Sequence, residues 1–280
     1  MKGALRHIAK TILWCGWSFA SIFPPAYSQK FVRIWYQYGN RSRHAQSRLG
    51  RPIVFIAMPK SASKTIAKRT AAALGTTIVL IARKRGGQIW PANTTLNIRE
   101  VLYASLTRKV LHEHCVADNI TIDQLKRVTD HVVVHIRDPR QVLVSMMHHF
   151  FDAEEDVDRF GIEPDRINPE DWTSTLDYLI DEVFPVLLKY VIDWHKVSKE
   201  GSLDVSFVTY ELFVRDPSQY FSNLFAIWEG SPGLPVPDIN QHFRKGDSSE
   251  WRNILTKRQQ ERVNRVIPPV LLEEFNWPCH

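Results

Sequence analysis

The sequence predicts an α/β fold, a three-layer sandwich in which a central parallel β-sheet is flanked by helices. Two short apolar runs, at residues 52–58 and 131–136, are typical of strands that are buried on both faces. Each run is followed by a turn and then by apolar residues at helical spacing. Strand, turn and helix alternate at least four times between residues 52 and 150, which indicates parallel strands joined by helical crossovers.

Composition limits the classes of partner. Lys and Arg number 36 against 30 Asp and Glu, and this excess favours anionic partners such as nucleotides or lipid headgroups. No helix-turn-helix, zinc-knuckle or RNA-binding sheet motif occurs, so nucleic acid is not a predicted partner. Cys15, Cys115 and Cys279 are widely spaced, which predicts a reducing, cytoplasmic location without a disulfide framework or a zinc site.

The chain divides into an N-terminal extension, residues 1–50, and a single domain, residues 51–280. If residues 4–23 are helical, one side is apolar and the other is basic, as in helices that lie at a membrane surface. The uncharged part is short for a membrane span and is broken by Pro24 and Pro25. Peripheral membrane contact, a secretory signal and a helix packed on its own domain remain open.

The other elements follow from local patterns. Further strands are predicted at 76–81, 109–115 and 205–208. Helices are predicted from Ser63 and after Pro139, and over 97–110, 122–128, 174–199 and 216–228, with Asn119 or Thr121 as the cap of the 122–128 helix. Residues 152–173 predict an exposed loop or lid, residues 230–237 a loop, and residues 242–256 a polar segment outside the core.

The motif PKSASKT, residues 59–65, follows the first strand and enters a helix. It combines three hydroxyl groups with the ammonium groups of Lys60 and Lys64. Unpaired N–H groups at a helix N-terminus attract anions, so the motif predicts a P-loop-like phosphate site and a P-loop-NTPase-like sandwich. An ordinary strand-turn-helix corner with solvated lysines would show the same short pattern.

Candidate functional residues lie at the ends of three predicted strands. Lys60 follows the first strand, His114 lies at the end of the 109–115 strand, and Arg137 follows the 131–136 strand. Ligands of parallel sheets bind at the carboxyl ends of the strands. We therefore expect these side chains to lie close together, with the planar guanidinium of Arg137 suited to phosphate oxygens.

With the segment RKGDSSEWRN at 244–253, these motifs resemble the sulfotransferases that use 3′-phosphoadenosine 5′-phosphosulfate, over roughly residues 52–256. The resemblance implies catalytic roles for Lys60 and His114 and no metal. It also implies donor-binding residues in four groups: Lys60, Ser61, Ala62, Ser63, Lys64 and Thr65 at the 5′-phosphosulfate, Arg137 and Ser145 at the 3′-phosphate, Arg244, Lys245 and Gly246 closing over the same phosphate, and Tyr210 near the adenine.

The implied reaction moves a sulfuryl group to a hydroxyl of an acceptor, whether a lipid, a glycan or a small alcohol. Lys60 would stabilise charge on the bridging oxygen, and His114 would take the hydroxyl proton. His112 is the rival base, on the same strand face. Ala62 replaces the glycine of the family's loop, and we expect its φ to lie below zero.

Two alternatives use the same residues. A P-loop kinase or NTPase would place its Lys and Thr at Lys64 and Thr65, but Met58 and Ser63 stand where its glycines are expected. Its magnesium-binding Asp would fall at Arg137. A non-catalytic nucleotide-binding protein on the same scaffold would be favoured by loss of Lys60 and both histidines, and the chain retains all three.

Overall fold

The computed structural model describes residues 53–80, 82–84, 90–91, 94–96, 109–126, 129, 131–226 and 249–279. Several predictions lie outside these residues: the extension 1–50, most of the helix at 97–110, the loop at 230–237, and the RKG motif of Arg244, Lys245 and Gly246. None of the described helices is both long and apolar enough to cross a membrane.

The strands form the predicted parallel sheet. Five of them are all parallel in the order β2-β5-β1-β6-β7, and the other two, β3 and β4, form an antiparallel pair. The five residues of β1 are all buried, as expected for the central strand of a covered sheet. The described strands are β1 (Ile53–Ala57), β2 (Ile78–Leu80), β3 (Ala82–Lys84), β4 (Thr94–Leu96), β5 (Val110–Glu113), β6 (His131–Ile136) and β7 (Asp204–Thr209).

Helices follow the strands and cover the sheet. Asp138 caps α3 by accepting a hydrogen bond from the Arg140 N–H, and Pro139 occupies the first turn, where its missing N–H has no cost. The described helices are α1 (Ser63–Ala73), α2 (Asn119–Lys126), α3 (Pro139–Asp152), α4 (Glu155–Arg159), α5 (Trp172–Glu182), α6 (Phe184–Glu200), α7 (Tyr210–Arg215), α8 (Pro217–Ala226), α9 (Trp251–Ile254), α10 (Lys257–Val266) and α11 (Pro269–Glu274), with a 3₁₀ turn at Pro164–Arg166.

The core has two halves, one on each face of the sheet. Ile53, Phe55 and Ala57 of β1 belong to a cluster with apolar residues of α1, α7 and α8. Val54 and Ile56 belong to a larger cluster on the opposite face with residues of α3, α5 and α6. Alternate residues of a strand point to opposite faces, so the central strand is covered on both sides. The predicted three-layer α/β architecture is confirmed.

The helix predicted over 174–199 is two helices, α5 and α6. The first ends at Glu182 and the second begins at Phe184, with Pro185 in its first turn. Proline lacks an N–H and its ring clashes with the carbonyl four residues earlier. A continuous helix is therefore excluded at Pro185, and the apolar periodicity on both sides concealed the break.

The cap of α2 was also predicted wrongly. The side chain of Asp118 accepts a hydrogen bond from the Thr121 N–H at 2.6 Å, and its carbonyl accepts from Ile122 N–H at 2.9 Å. Asp118 therefore starts the helix, one residue before the nearer of the two predicted caps. The short carboxylate is as good a cap as Asn or Thr.

The segment predicted as an exposed loop or lid, residues 152–173, is anchored to the core. It contains α4 and the 3₁₀ turn, and Val157, Phe160 and Ile162 are buried. The Glu163 N–H donates to the hydroxyl of Tyr178 in α5 at 3.1 Å. Most of the acidic residues that suggested an exposed loop are exposed, while Asp156 is half-buried and lies 3.0 Å from Nε2 of His149 in α3.

The prediction that residues 242–256 lie outside the core is wrong for Glu250, Trp251 and Leu255, which are buried. Trp251 is completely buried, and its backbone N–H donates to the side-chain oxygen of Gln141 at 3.1 Å. The guanidinium of Arg140 lies 4.1 Å from the centre of a Trp251 ring. Trp251 packs on Arg140, which lies 111 positions earlier in the chain. Local periodicity does not reveal a contact between such distant residues.

Arg140 joins the start of α3 to the C-terminal helices. It is fully buried and pairs with the buried carboxylate of Asp138 at 2.7 Å. Its Nη1 donates to the side-chain oxygen of Asn264 in α10 at 2.7 Å. This pair therefore orients the start of α3, close to Arg137, which lies between β6 and α3.

We predict that Arg140→Ala lowers the free energy of unfolding by about 3–5 kcal/mol, because the carboxylate of Asp138 would remain buried without its cation. Denaturant titration measures the loss. Arg262→Ala is the matched control: Arg262 pairs with the more exposed Asp177 and Asp181, so we expect a loss of about 1 kcal/mol or less. Equal losses for the two variants would contradict this role for Arg140.

Candidate functional site

Three predicted residues meet at the carboxyl ends of β5, β1 and β6, which are neighbours in the sheet. His114 follows β5, and its Nδ1 lies 2.6 Å from the carbonyl oxygen of Ala57, the last residue of β1. Arg137 follows β6, and its Nη1 donates to the carbonyl of Lys60 at 2.7 Å. Lys60, His114 and Arg137 are therefore joined through the end of β1 and the loop that follows it.

The loop between β1 and α1 turns through two left-handed residues. Lys60 has φ 55° and Ala62 has φ 59°. The expectation that Ala62 keeps φ below zero is therefore wrong. Left-handed backbone costs an L-residue roughly 1–2 kcal/mol relative to glycine, so this loop keeps the glycine-type conformation without the glycine.

The loop leaves the first N–H groups of α1 without a side-chain cap. Ala62 is the N-cap residue and has no oxygen to offer. The hydroxyl of Ser61 is buried and donates to the Met58 carbonyl at 2.6 Å, so it stabilises the turn. Uncapped N–H groups at the start of a helix, together with the helix dipole, form a site for an anion.

Side chains of β6 and its end fix the orientation of two consecutive peptide groups in this loop. The Lys60 carbonyl accepts from Arg137, and the Ser61 carbonyl lies 2.7 Å from Nε2 of His135. In a trans peptide the carbonyl and the following N–H point in opposite directions. The N–H groups of Ser61 and Ala62 therefore point away from these side chains. Neighbouring N–H groups held in this way form an anion-binding nest.

The remaining predicted donor-binding residues differ in exposure. Lys64 is exposed in the first turn of α1, Thr65 is half-buried, and Ser63 is buried. Ser145 is half-buried in α3, and no hydrogen bond within the described residues joins it to the loop. Tyr210 is buried at the start of α7.

Tyr210 contacts Arg137 directly. The guanidinium carbon of Arg137 lies 3.9 Å from the centre of the Tyr210 ring. Burial lowers the pKa of Arg137, and the neighbouring Tyr210, Glu211 and Asp138 act in the opposite direction. A guanidinium remains protonated in such surroundings, so Arg137 keeps a positive charge at the sheet edge.

Glu211 lies near Arg137, and one of its carboxylate oxygens accepts a hydrogen bond. Its Oε1 accepts from the Asp138 N–H at 3.0 Å, and its Oε2 is buried with no hydrogen-bond partner among the described residues. Burial raises the pKa of Glu211 to about 7, and the nearby Asp138 carboxylate acts in the same direction. The carboxyl is therefore only partly ionised at neutral pH, and it cancels only part of the charge of Arg137.

His112, in β5, and His114, directly after it, have different surroundings. A carbonyl only accepts, so the Ala57 contact places the proton of a neutral His114 on Nδ1 and leaves Nε2 as its basic nitrogen. Trp90 packs edge-on against this ring, with centroids 4.6 Å apart. His112 is buried, and this burial, with His114, His135 and Lys64 nearby, lowers the pKa of His112 to about 3.

Asp138 comes one residue after the position at which a P-loop NTPase would have its magnesium-binding Asp. Its carboxylate already has hydrogen-bond partners. It is buried, it caps α3, and both of its oxygens accept from Arg140. Among residues 53–279 with the gaps given above, no cluster of three or more His, Cys, Asp or Glu side chains is arranged to hold a metal ion. The contacts of Asp138 therefore disfavour the NTPase alternative.

Sequence reasoning missed two residues of this site, His135 and Tyr220, and it placed Glu211 only in a turn near the adenine. His135 is a polar residue between the buried Val134 and Ile136 of β6, and this mismatch was the available signal. Tyr220 approaches from α8 and Glu211 from α7, and their partners are far away in the sequence.

Comparison with known proteins identifies the fold. The structure is similar to that of the mouse sulfotransferase SULT7A1 complexed with PAP, with a TM-score of 0.53 and 18% sequence identity over 81% of this chain and 84% of that chain. It is also similar to a sulfotransferase from Alicyclobacillus acidocaldarius, with a TM-score of 0.46 and 16% identity over 80% and 95% of the two chains.

No family model matches the chain, and no curated protein matches it in sequence. At 18% identity, the likeness to the mouse protein shows the fold. The chain has an α/β fold of the type found in sulfotransferases.

We predict that Ala62→Gly raises the free energy of unfolding by about 0.5–1 kcal/mol, because relief of the left-handed strain exceeds the added entropy of the unfolded chain. Thermal or denaturant unfolding measures the change. Ala72→Gly is the control, since Ala72 is exposed within the same helix and glycine there costs about 1 kcal/mol. Destabilisation by both substitutions would show that Ala62 is not strained.

We also predict that Glu211 makes the free energy of unfolding depend on pH. Between pH 4.5 and about 7 the folded carboxyl holds a proton that the unfolded one has lost, so its contribution to stability falls as pH rises through this window. Between pH 4.5 and about 7, the free energy of unfolding of the wild type should fall on the order of 1–3 kcal/mol further than that of Glu211→Gln.

Unfolding of both proteins at several pH values measures this difference. The lowered pKa values of His112 and His135 act in the opposite direction in both proteins, so they cancel in the comparison. Parallel stability curves for wild type and Glu211→Gln would contradict the raised pKa.

Proposed function

We propose that this protein is a sulfotransferase that moves a sulfuryl group from 3′-phosphoadenosine 5′-phosphosulfate to a hydroxyl of an acceptor. The supporting observation is that the Lys60 loop, His114 and Arg137 are joined by hydrogen bonds at the carboxyl ends of three neighbouring strands. An anion site and a candidate base thus lie at the same sheet edge.

The groups present fit a doubly anionic nucleotide. The N–H groups of Ser61, Ala62 and Ser63, together with Lys60, Lys64 and Thr65, would hold the 5′-phosphosulfate. Arg137 and Ser145 would hold the 3′-phosphate, with Arg244, Lys245 and Gly246 closing over it and Tyr210 on the adenine side. The donor supplies an activated sulfuryl group on a phosphate leaving group, and no metal is needed.

The chain's own groups would supply the remaining chemistry. The ammonium of Lys60 stabilises negative charge that develops on the bridging oxygen, a contribution typically worth a few kcal/mol for a well-placed donor. Nε2 of His114 accepts the proton of the acceptor hydroxyl. His112 is the weaker candidate, because burial lowers the pKa of His112 to about 3.

The acceptor carries a hydroxyl, and peripheral membrane contact through residues 4–23 would favour a lipid or a membrane-associated glycan. A screen with radiolabelled donor against phenols, sterols, glycolipids and oligosaccharides would identify the class. Lys60→Ala serves as the inactive reference in each reaction.

We predict that two substitutions separate catalysis from binding. His114→Ala should lower kcat by about 10²–10⁴-fold while leaving donor affinity nearly unchanged, because only the base is removed. Arg137→Ala should weaken binding of 3′-phosphoadenosine 5′-phosphate about tenfold or more, because a charge-assisted contact to phosphate is lost. Single-turnover kinetics and calorimetry measure the two effects.

The control for the first substitution is His195→Ala, since His195 pairs with Glu274 outside this site. Normal kcat in His114→Ala with a large loss in His112→Ala would reassign the base. Magnesium-dependent binding of ATP, with no heat from 3′-phosphoadenosine 5′-phosphate, would contradict the sulfotransferase proposal and favour a nucleoside-triphosphate enzyme. Donor binding without transfer to any acceptor would favour a non-catalytic binding protein.

A further inference from the structure

His135 occupies a position in β6 where its two ring nitrogens both have partners. The residue is completely buried. Its Nε2 lies 2.7 Å from the Ser61 carbonyl oxygen, and its Nδ1 lies 3.0 Å from the hydroxyl of Tyr220 in α8. We propose that His135 is a positioning residue that orients the Ser61–Ala62 peptide of the anion-binding loop through its Nε2–H, with Tyr220 hydrogen-bonded to the other ring nitrogen. The identity of the anion rests on the proposed function.

The contact with Ser61 decides which nitrogen of the neutral ring carries the proton. The Ser61 carbonyl can only accept, so Nε2 of His135 carries the proton and donates it. Nδ1 then has the lone pair, and the hydroxyl of Tyr220 donates to it. Burial lowers the pKa of His135 to about 4 and raises that of Tyr220, so the ring stays neutral and the hydroxyl keeps its proton at pH 7.

Packing holds the ring in this orientation. Phe55 of β1 stacks on His135 with centroids 5.6 Å apart, and Tyr220 packs edge-on at 5.6 Å. Phe55 also stacks on His112, with ring centroids 5.8 Å apart. The imidazole is thus fixed between elements of the rigid sheet and α8, so its Nε2 proton has a fixed direction.

The bond to Ser61 has a consequence for the anion site. Because the Ser61 carbonyl is directed at His135, the N–H of Ala62 on the same peptide must point the opposite way. Arg137 does the same for the preceding peptide through the Lys60 carbonyl. Two consecutive N–H groups are therefore held in position before any ligand binds, which lowers the entropic cost of binding.

The same bond also explains how Ala62 can occupy a left-handed conformation without glycine. Strained backbone persists only where surrounding contacts over-determine it. The two strained residues, Lys60 and Ala62, flank Ser61, whose carbonyl is held by His135 and whose hydroxyl is held by Met58. Without the imidazole, the Ser61–Ala62 peptide would be able to rotate and relieve the strain.

The test compares binding of 3′-phosphoadenosine 5′-phosphate by calorimetry in four variants of the full chain. His135→Leu removes the donor to Ser61 and should weaken binding about tenfold. His135→Gln carries an N–H at the place of Nε2 and should stay within about threefold of the wild type. Tyr220→Phe should give an intermediate loss. His131→Leu, at the opposite end of the same strand and paired with Asp204, should bind as the wild type does.

A second measurement uses ¹⁵N-labelled histidine in the nucleotide-free protein. The His135 ring should show a protonated Nε2 and an unprotonated Nδ1 at pH 7. Tyr220→Phe should keep this tautomer and shift the Nδ1 resonance, because only the hydrogen bond to Nδ1 is lost. This readout needs no ligand, and a ring held only by packing would not require the proton to lie on Nε2.

The outcomes are distinguishable. If the wild type does not bind the nucleotide, the proposed function fails, and the tautomer measurement alone decides the role of His135. Wild-type affinity in a folded His135→Leu variant, or a proton on Nδ1 in place of Nε2, overturns the positioning role. If His135→Leu does not fold, the comparison of His135→Gln with Tyr220→Phe decides, and equal affinity in both would overturn it.

Discussion

The hydrogen bonds from Arg137 and His135 to the carbonyls of Lys60 and Ser61 are the constraint on which this site depends. They connect the end of β6 to the loop that follows β1, across a parallel pair of strands. Both side chains are buried, so water does not compete for the bonds and each is stronger than it would be at the surface. They stabilise a loop conformation that the Ala62 backbone would not adopt alone.

Charge at this edge is arranged around one buried cation. Arg137 lies against Tyr210 and near Glu211, whose carboxyl is partly protonated at neutral pH. His112 and His135 are neutral because burial lowers the pKa of each. The positive charge of the site therefore comes from Arg137 and the lysines of the loop. Glu211, Asp138 and Glu250 lie close enough to act on Arg137, and Asp138 is itself paired with Arg140.

The support of the site extends to the C-terminal part of the chain. Arg140 and Gln141 of α3 bind Asn264 and Trp251 respectively, so α9 and α10 are held against the helix that begins beside Arg137. The anchored segment 152–173 contributes Phe160, whose ring packs on Trp90, and Trp90 in turn contacts His114. Residues distant in the sequence thus fix the orientation of the groups at the sheet edge.

The amino-acid sequence by itself determined the five strands of the parallel sheet and the helices that follow β1 and β6, because uncharged apolar runs and helical periodicity are local signals. It also determined that Lys60, His114 and Arg137 share one edge, since each follows a parallel strand. Only the tertiary structure decided the left-handed φ of Ala62, the burial of Trp251, and the contacts of His135 with Ser61 and Tyr220. These features depend on hydrogen bonds and packing between segments up to 111 residues apart, and such contacts leave no periodic pattern in the chain.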